Sequence, residues 1–451
     1  MMPINHRGTF HAVGQGLFHS AQIDFGGRAS CFRYVYDCGT DGSPDELAVA
    51  VDGYVSGCSP ARLNLLMVSH LDADHVSGLP GLLEGLRKTG SGVDDALLPY
   101  LHPEERAIVA AWASRGRKRP AAWYFEFLDD PAGFLLEHGV RRVIYIRGGD
   151  GPPPEGGVGG PSEGIDVGGE APHDHPGHRP DKPLELVVNL GLLDAAARDQ
   201  AADRERRSGH AARAGIDFRT SRGSINVGEW VFIFFNREPA QAKLAAFRAE
   251  FDKIAGDLSP KQVLAEPEKT ARVKIAYDRV FGRRRINETS LGVFSGCRRP
   301  SEWHSPRGVV ARWAFASALW PPMLREASRL LPLPSLPIPS IPHATMIGIL
   351  FTGDLTLDMK VWPGFAAKYG VAPGSERTVL AAFQIPHHGA ATSWRKALAE
   401  MPCIDYVASA AIEHRLKHPS RPVIADVLNR GRRLHWANEK REVEYELAIL
   451  E

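Results

Sequence analysis

Four side chains able to bind a divalent cation fall within the short segment Ser69-His70-Leu71-Asp72-Ala73-Asp74-His75. Imidazole and carboxylate together suit zinc, manganese and similar ions. The segment follows Leu63 to Val68, an apolar run broken only by Asn64, so these groups leave the end of a strand buried on both faces. Such a cluster is costly there without a cation to satisfy it. Later in the chain Asp354 follows Gly353 at the end of another apolar run, and His387 and His388 stand together before Gly389. One of these two histidines is expected to coordinate metal and the other to protonate a leaving group, because an imidazole titrates near neutral pH. His418 lies between Lys417 and Pro419, with Arg415 and Arg421 close by in sequence, a setting for a metal ligand or a phosphate contact. Arg283-Arg284-Arg285 offers charge to a phosphate backbone. His173, Asp174, His175 and His178 have ligand types too, but they sit in a Gly/Pro-rich tract that cannot preorganise them.

The elements that must carry these residues alternate. Strands are expected over 9–13, 17–23, 31–36, 63–68, 140–146, 346–352, 378–385, 406–409 and 443–450. Helices are expected from Gly81, over 102–114, 192–206, within 240–281, over 394–400 and over 422–429. Gly14-Gln15-Gly16 is a turn and not a dinucleotide fingerprint, since the third glycine is missing and a strand follows. Gly148 to Lys182 is rich in Gly, Pro, Asp and His and reads as a flexible loop. Pro332 to Pro342 reads as a second linker. The expected organisation is an α/β core of residues 1–105 and 285–451. It is interrupted by a helical insertion at 106–284 containing the 148–182 loop, and by a Pro-rich connecting insertion at 301–343.

The motif at 70–75 resembles the His-x-His-x-Asp-His signature of the metallo-β-lactamase superfamily, with Asp72 in place of the second histidine. That replacement is similar to the nuclease domain of the bacterial DNA-uptake channel (ComEC) family. Other segments match that domain in order: Val13-Gly14-Gln15-Gly16, Asp37-Cys38-Gly39, Asn287-Glu288-Thr289-Ser290-Leu291, Thr352-Gly353-Asp354, Pro386-His387-His388-Gly389 with Thr392-Ser393, and His418-Pro419. Ala12, Ala390 and Ala391 depart from the family pattern, and the channel's membrane segments have no counterpart. The resemblance implies an αββα sandwich and a metal-bound hydroxide attacking in line with a leaving oxygen. It implies that His70 and Asp72 hold one ion, Asp74 and His75 the other, and that Asp354 bridges them. The superfamily's third-motif histidine has no counterpart near Asn287, so two zinc or manganese ions are expected, with one as the alternative. Asp74, His387 and His388 are the expected catalytic residues. His70, Asp72, Asp74, His75, Asp354 and His418 are the expected metal ligands, and Arg285, Asn287 and Lys417 the expected substrate contacts.

The resulting expectation is a metal-dependent phosphodiesterase or nuclease acting on DNA or RNA. A hydrolase of a small ester is the alternative within enzymes. A metal-stabilised sensor or partner-binding module, docking a protein through the insertion, is the alternative outside them. Bulk composition agrees with a globular chain: 43% hydrophobic and 24% charged, which excludes a disordered or collagen-like polymer. The net charge of +1 requires any nucleic-acid surface to be local. Five cysteines form no C-x-x-C pair, so neither a disulfide framework nor a cysteine zinc site is expected. No apolar run reaches the roughly 18 residues of a membrane span, and no secretory signal is read, so a cytoplasmic location is expected.

Overall fold

In β4 (Leu63–Met67) Leu65 and Met67 point one way, while Leu66 and the following Val68 point the other. Both sets are buried, as period-two side chains must be in a strand covered on both faces. The same holds for β3 (Phe32–Cys38), where Phe32, Tyr34 and Tyr36 oppose Val35, and for β13 (Met346–Phe351), where Ile347, Ile349 and Phe351 oppose Met346 and Leu350. The computed structural model describes residues 4–26, 31–58, 61–113, 121–148, 186–193, 195–207, 213–237, 241–256, 258, 262–263, 266–282, 289–298, 308–317, 336–337, 345–375, 377–403 and 405–450.

Two runs of strands build the core. The first places β11 (Gly308–Ser317) beside β17 (Arg441–Leu450), then β1 (Ile4–Phe10), β2 (Phe18–Asp24), β3, β4, β5 (Val93–Pro99), β6 (Val140–Arg147) and β8 (Ile216–Val227). From β3 to β6 the strands are parallel. The second run continues from the far half of β8 through β9 (Trp230–Phe235), β10 (Gly292–Arg298), β13, β14 (Thr378–Gln384), β15 (Asp405–Ser409) and β16 (Arg433–Ala437). Its last four strands are parallel. One apolar cluster, with Tyr34, Met67, Phe232, Phe234, Ile349 and Tyr445 among its members, lies between the two runs.

Helices cover the outer faces. On the first run, α1 (Pro44–Cys58) buries Leu47, Val51 and Val55, and α3 (Leu79–Lys88) buries Leu79, Leu82, Leu83 and Leu86, the stripe of an amphipathic helix. α4 (Pro103–Ala113), α5 (Ala122–Asp129) and α6 (Pro131–Glu137) join them, with α7 (Ala195–Arg207) placing Ala201 in the same cluster. On the second run, Trp362 and Phe365 of α10 (Trp362–Tyr369) and Val423 and Val427 of α11 (Arg421–Asn429) fill the outer cluster. The order is helix, sheet, sheet, helix, the αββα sandwich expected from the sequence. A satellite cluster packs α8 (Gln241–Ala255) and α9 (Pro267–Phe281) against Ala107 and Ile108 of α4.

The sheet also runs through segments read as insertions. β6, β8 and β9 lie within 106–284 and carry the pairing from one run to the other. β11 lies within 301–343 and pairs along its length with β17. Those stretches read as insertions because β8 is largely polar in sequence and half of the surrounding chain is helical or Gly/Pro-rich. Long-range pairing decides their strand state. The tract 149–182, with its histidines, lies outside the described residues. No helix among the described residues is long and apolar enough to cross a membrane.

Candidate metal centre

Parallel strands end at one edge of the sandwich, where open α/β sheets commonly bind ligands. The loop after β4 turns into the single-turn helix α2 (Ala73–Val76), which presents Asp74 and His75. His70 is buried, and its Nδ1 meets the Ser69 hydroxyl at 2.9 Å. Its Nε2 points into the cluster, 3.7 Å from both Asp72 Oδ2 and Asp354 Oδ2. His75 is fully buried. Its Nδ1 lies 2.8 Å from Asp37 Oδ2 and its Nε2 3.3 Å from Asp354 Oδ1. Among the described residues, Nε2 of His70 and Nε2 of His75 have no hydrogen-bond partner. Two buried imidazole nitrogens aimed at carboxylates without hydrogen-bonding them are what a cation site requires of its donors.

Asp354 follows β13, and Gly353 makes the turn that delivers it. Gly353 has φ of +51°, and a Cβ there would stand 2.6 Å from the Ser69 side chain. The two oxygens of Asp354 face different groups. Oδ1 is 3.3 Å from His75 and 3.6 Å from His388; Oδ2 is 3.7 Å from His70 and 3.5 Å from His387. Gln384, the lone polar side chain between Val379 and Ile385, accepts from the backbone N–H of Thr352 at 2.7 Å and of Gly353 at 3.0 Å. It thereby locks the end of β13 to β14.

The two histidines after β14 have different settings. His388 is buried; its Nδ1 donates to the Ser409 carbonyl at 2.7 Å, and its Nε2 faces Asp74 Oδ2 at 3.2 Å, where burial opposes a charge on the ring but Asp354 and Asp74 raise its pKa above the ordinary value. His387 has 29% of its side chain exposed and its Nδ1 3.3 Å from the Ser393 hydroxyl. His418 stands further out: its ring centre is 6.4 Å from that of His387, and its Nδ1 has no hydrogen-bond partner among the described residues. Lys417 is exposed. Among the described residues, two groups each offer ligand atoms within 4.8 Å of one another: Asp74, His75, Asp354 and His388, and His70, Asp72 and Asp74. The first brings in His388, whose role the sequence left open between ligand and acid. Neither includes His418. Arg285 and Asn287, with Arg283 and Arg284, lie outside the described residues.

The electrostatics show a cluster short of positive charge. Burial, then the carboxylates of Asp74 and Asp354, raise the Asp72 carboxyl to about 7, although a third of that side chain meets solvent. Burial opposes a charge on His75, yet Asp37, Asp74 and Asp354 hold its pKa well above the ordinary value. Burial would raise the carboxyl of Asp354, but His387, His75, His388 and His70 outweigh it and hold it well below the usual range. His70 is brought down to about 3 by burial and by His75. A divalent cation would supply the charge that protons otherwise supply here.

Sequence reasoning gave Asp37 no role beyond its place in the Asp-x-Gly match. It is the support of the site. Fully buried, it accepts from the Ser69 N–H at 2.6 Å and the Ser69 hydroxyl at 2.6 Å, and it orients His75. Gly16 and Gly39 are also structural: a Cβ on Gly16 would stand 2.3 Å from the Gly39 carbonyl oxygen, and one on Gly39 2.6 Å from the His75 carbonyl carbon. Tyr124 of α5 donates to the Leu71 carbonyl at 2.9 Å. Asp37, His387, His388 and Lys417, the non-glycine residues with left-handed backbone among the described ones, all border this edge.

No protein-family model matches the chain, and no curated protein matches it. Among solved structures, a long-form RNase Z from yeast aligns with 98% of this chain at 8% identity and a TM-score of 0.33. The alignment spans 41% of that protein's length.

Proposed function

We propose that this chain is a metal-dependent hydrolase of the metallo-β-lactamase superfamily, cleaving phosphodiesters in nucleic acid. The observation that carries the reading is Asp354, whose two oxygens face two separate donor groups from the centre of four imidazoles. Asp74, His75 and His388 would hold one ion and His70 and Asp72 the other, with Asp354 shared. The second group has fewer protein donors and the more exposed carboxylate, so it is the weaker. Bound there, zinc or manganese supplies a water acidic enough to attack near neutral pH and charge to neutralise phosphoryl oxygens.

The chain's own residues do the rest. Asp37 fixes the His75 tautomer, and the Ser409 carbonyl fixes that of His388. His387, half-open to solvent beside the donors, is placed to protonate a leaving oxygen. His418 borders the mouth, where exposed Arg415, Lys417 and Arg421 offer phosphate contacts.

The test is hydrolysis of single-stranded DNA, duplex DNA, RNA and bis(p-nitrophenyl) phosphate by metal-supplemented protein, beside Asp354→Asn. Nucleic acid should be cleaved, with affinity falling steeply with salt, and the variant should lose activity on every substrate. A metal-loaded chain that cleaves none of them would refute the reading. Salt-independent turnover of the small diester alone would transfer it to a small-substrate hydrolase.

A further inference from the structure

A second polar cluster lies on the same edge of the first sheet. β4, β5 and β6 are adjacent and parallel, so the segments that leave their ends, with His70 after β4, His102 after β5 and Arg147 at the end of β6, lie on one edge of the sheet. His102 is buried. Four guanidiniums from four elements act on it: Arg204 of α7, Arg248 of α8, Arg147 at the end of β6 and Arg106 of α4. Burial first, then these arginines, bring its pKa down to about 2, so the ring is neutral at working pH.

Arg106, itself buried, makes a two-pronged pair with Glu205 at 3.1 and 2.8 Å, and Glu104 acts on Arg204. Among the described residues, His102 Nδ1, Arg106 Nε, Arg204 Nη1 and Arg248 Nη2 are nevertheless buried without a hydrogen bond, as is one carboxylate oxygen, Oε2 of Glu104. Protein interiors pair nearly all such atoms, and crowded like charges repel. An oxyanion rich in acceptors answers both.

We propose that this cluster is a phosphate-binding site, separate from the metal donors and lateral to them. Guanidinium forks match phosphate oxygens in pairs. Guanidiniums from four elements around one buried ring can surround a tetrahedral anion on several sides, which a planar carboxylate does not need. The binding of phosphate stands without the hydrolase reading; its use as a handle on a substrate held at the metal donors rests on that reading.

Calorimetric titration of the whole chain with inorganic phosphate after chelation tests the site, with circular dichroism to show that the chelated chain is folded. Saturable binding is expected, weakened tenfold or more by Arg204→Gln with Arg248→Gln. If that pair fails to fold, the single Arg248→Gln, at a half-buried position, is read instead. A folded, chelated wild-type chain that does not bind phosphate overturns the proposal, as does binding that the substitutions leave unchanged. Because no metal is present, neither result depends on hydrolysis. A 5′-phosphorylated thymidine dinucleotide binding more tightly than its 5′-hydroxyl form and than free phosphate assigns the site to a nucleic-acid end. Equal binding of the phosphorylated dinucleotide and free phosphate assigns it to the phosphate group alone.

Discussion

His388 and His387 are neighbours in different surroundings, and substitution should separate the roles proposed for them. His388 Nε2 faces Asp74 from a buried ring held by the Ser409 carbonyl, so His388→Ala should lose metal as well as activity. His387 is partly open to solvent, so His387→Ala should keep its metal and lose about 10²–10⁴-fold in turnover. Elemental analysis beside turnover reads the split; equal metal loss in both would make His387 a ligand as well. Asp37 acts one step further out. Removing the partner that orients a coordinating histidine typically weakens metal binding about 10–100-fold. Asp37→Ala should do so in a chelator competition, while Asp52→Ala, on the outer helix α1, should not.

At the scale of elements, the site depends on strand ends meeting closely enough to share donors. Gly353 is where β13 passes over the loop after β4, with left-handed backbone and no room for a methyl group beside Ser69. Gly353→Ala should therefore destabilise the chain by more than about 1 kcal/mol and lower its metal content. Gly364, in α10, has open space around its missing Cβ and serves as the control. Equal melting temperatures for the two variants would show that the loop can yield. The Gly-Gln-Gly turn works in the same way: it lets β2 and the end of β3 pack under α2, where the Leu17 N–H donates to the Asp74 carbonyl at 3.2 Å.

The whole molecule carries a burden of neutral histidine in its interior. His6 and His11 are buried in or beside the inter-sheet core, with Nε2 on the Tyr34 hydroxyl at 2.9 Å and the Ser20 hydroxyl at 2.7 Å. Burial lowers each to about 3 from an ordinary value of 6.5. The unfolded chain therefore takes up these protons below pH 6.5 while the folded chain does not. Stability is fully present above 6.5 and falls as the pH drops toward 3, by up to about 1.4 kcal/mol per pH unit for each ring. Urea midpoints of the chelated chain should decline between pH 6.5 and 4, and His11→Gln should decline less steeply. Equal slopes would place the acid sensitivity elsewhere.

The local sequence determined the strand cores and nominated the candidate donors. Leu63–Val68 and Met346–Thr352 are apolar on both faces, and His70, Asp72, Asp74, His75, Asp354 and His388 follow strand ends directly, so composition and order sufficed to nominate them. Asp37 was visible only as one letter of a motif, because its role is a hydrogen bond to a residue 38 positions later. The membership of β8 and β11 in the sheet was hidden too, since a strand with polar positions is stabilised by partners far along the chain. The different settings of His387 and His388 were equally a matter of tertiary structure: adjacent residues of one type differ only in what surrounds them. The arginines around His102 come from α4, β6, α7 and α8, and nothing in their sequence spacing brings them together. Packing does, by burying charges that a chain in water would hold apart.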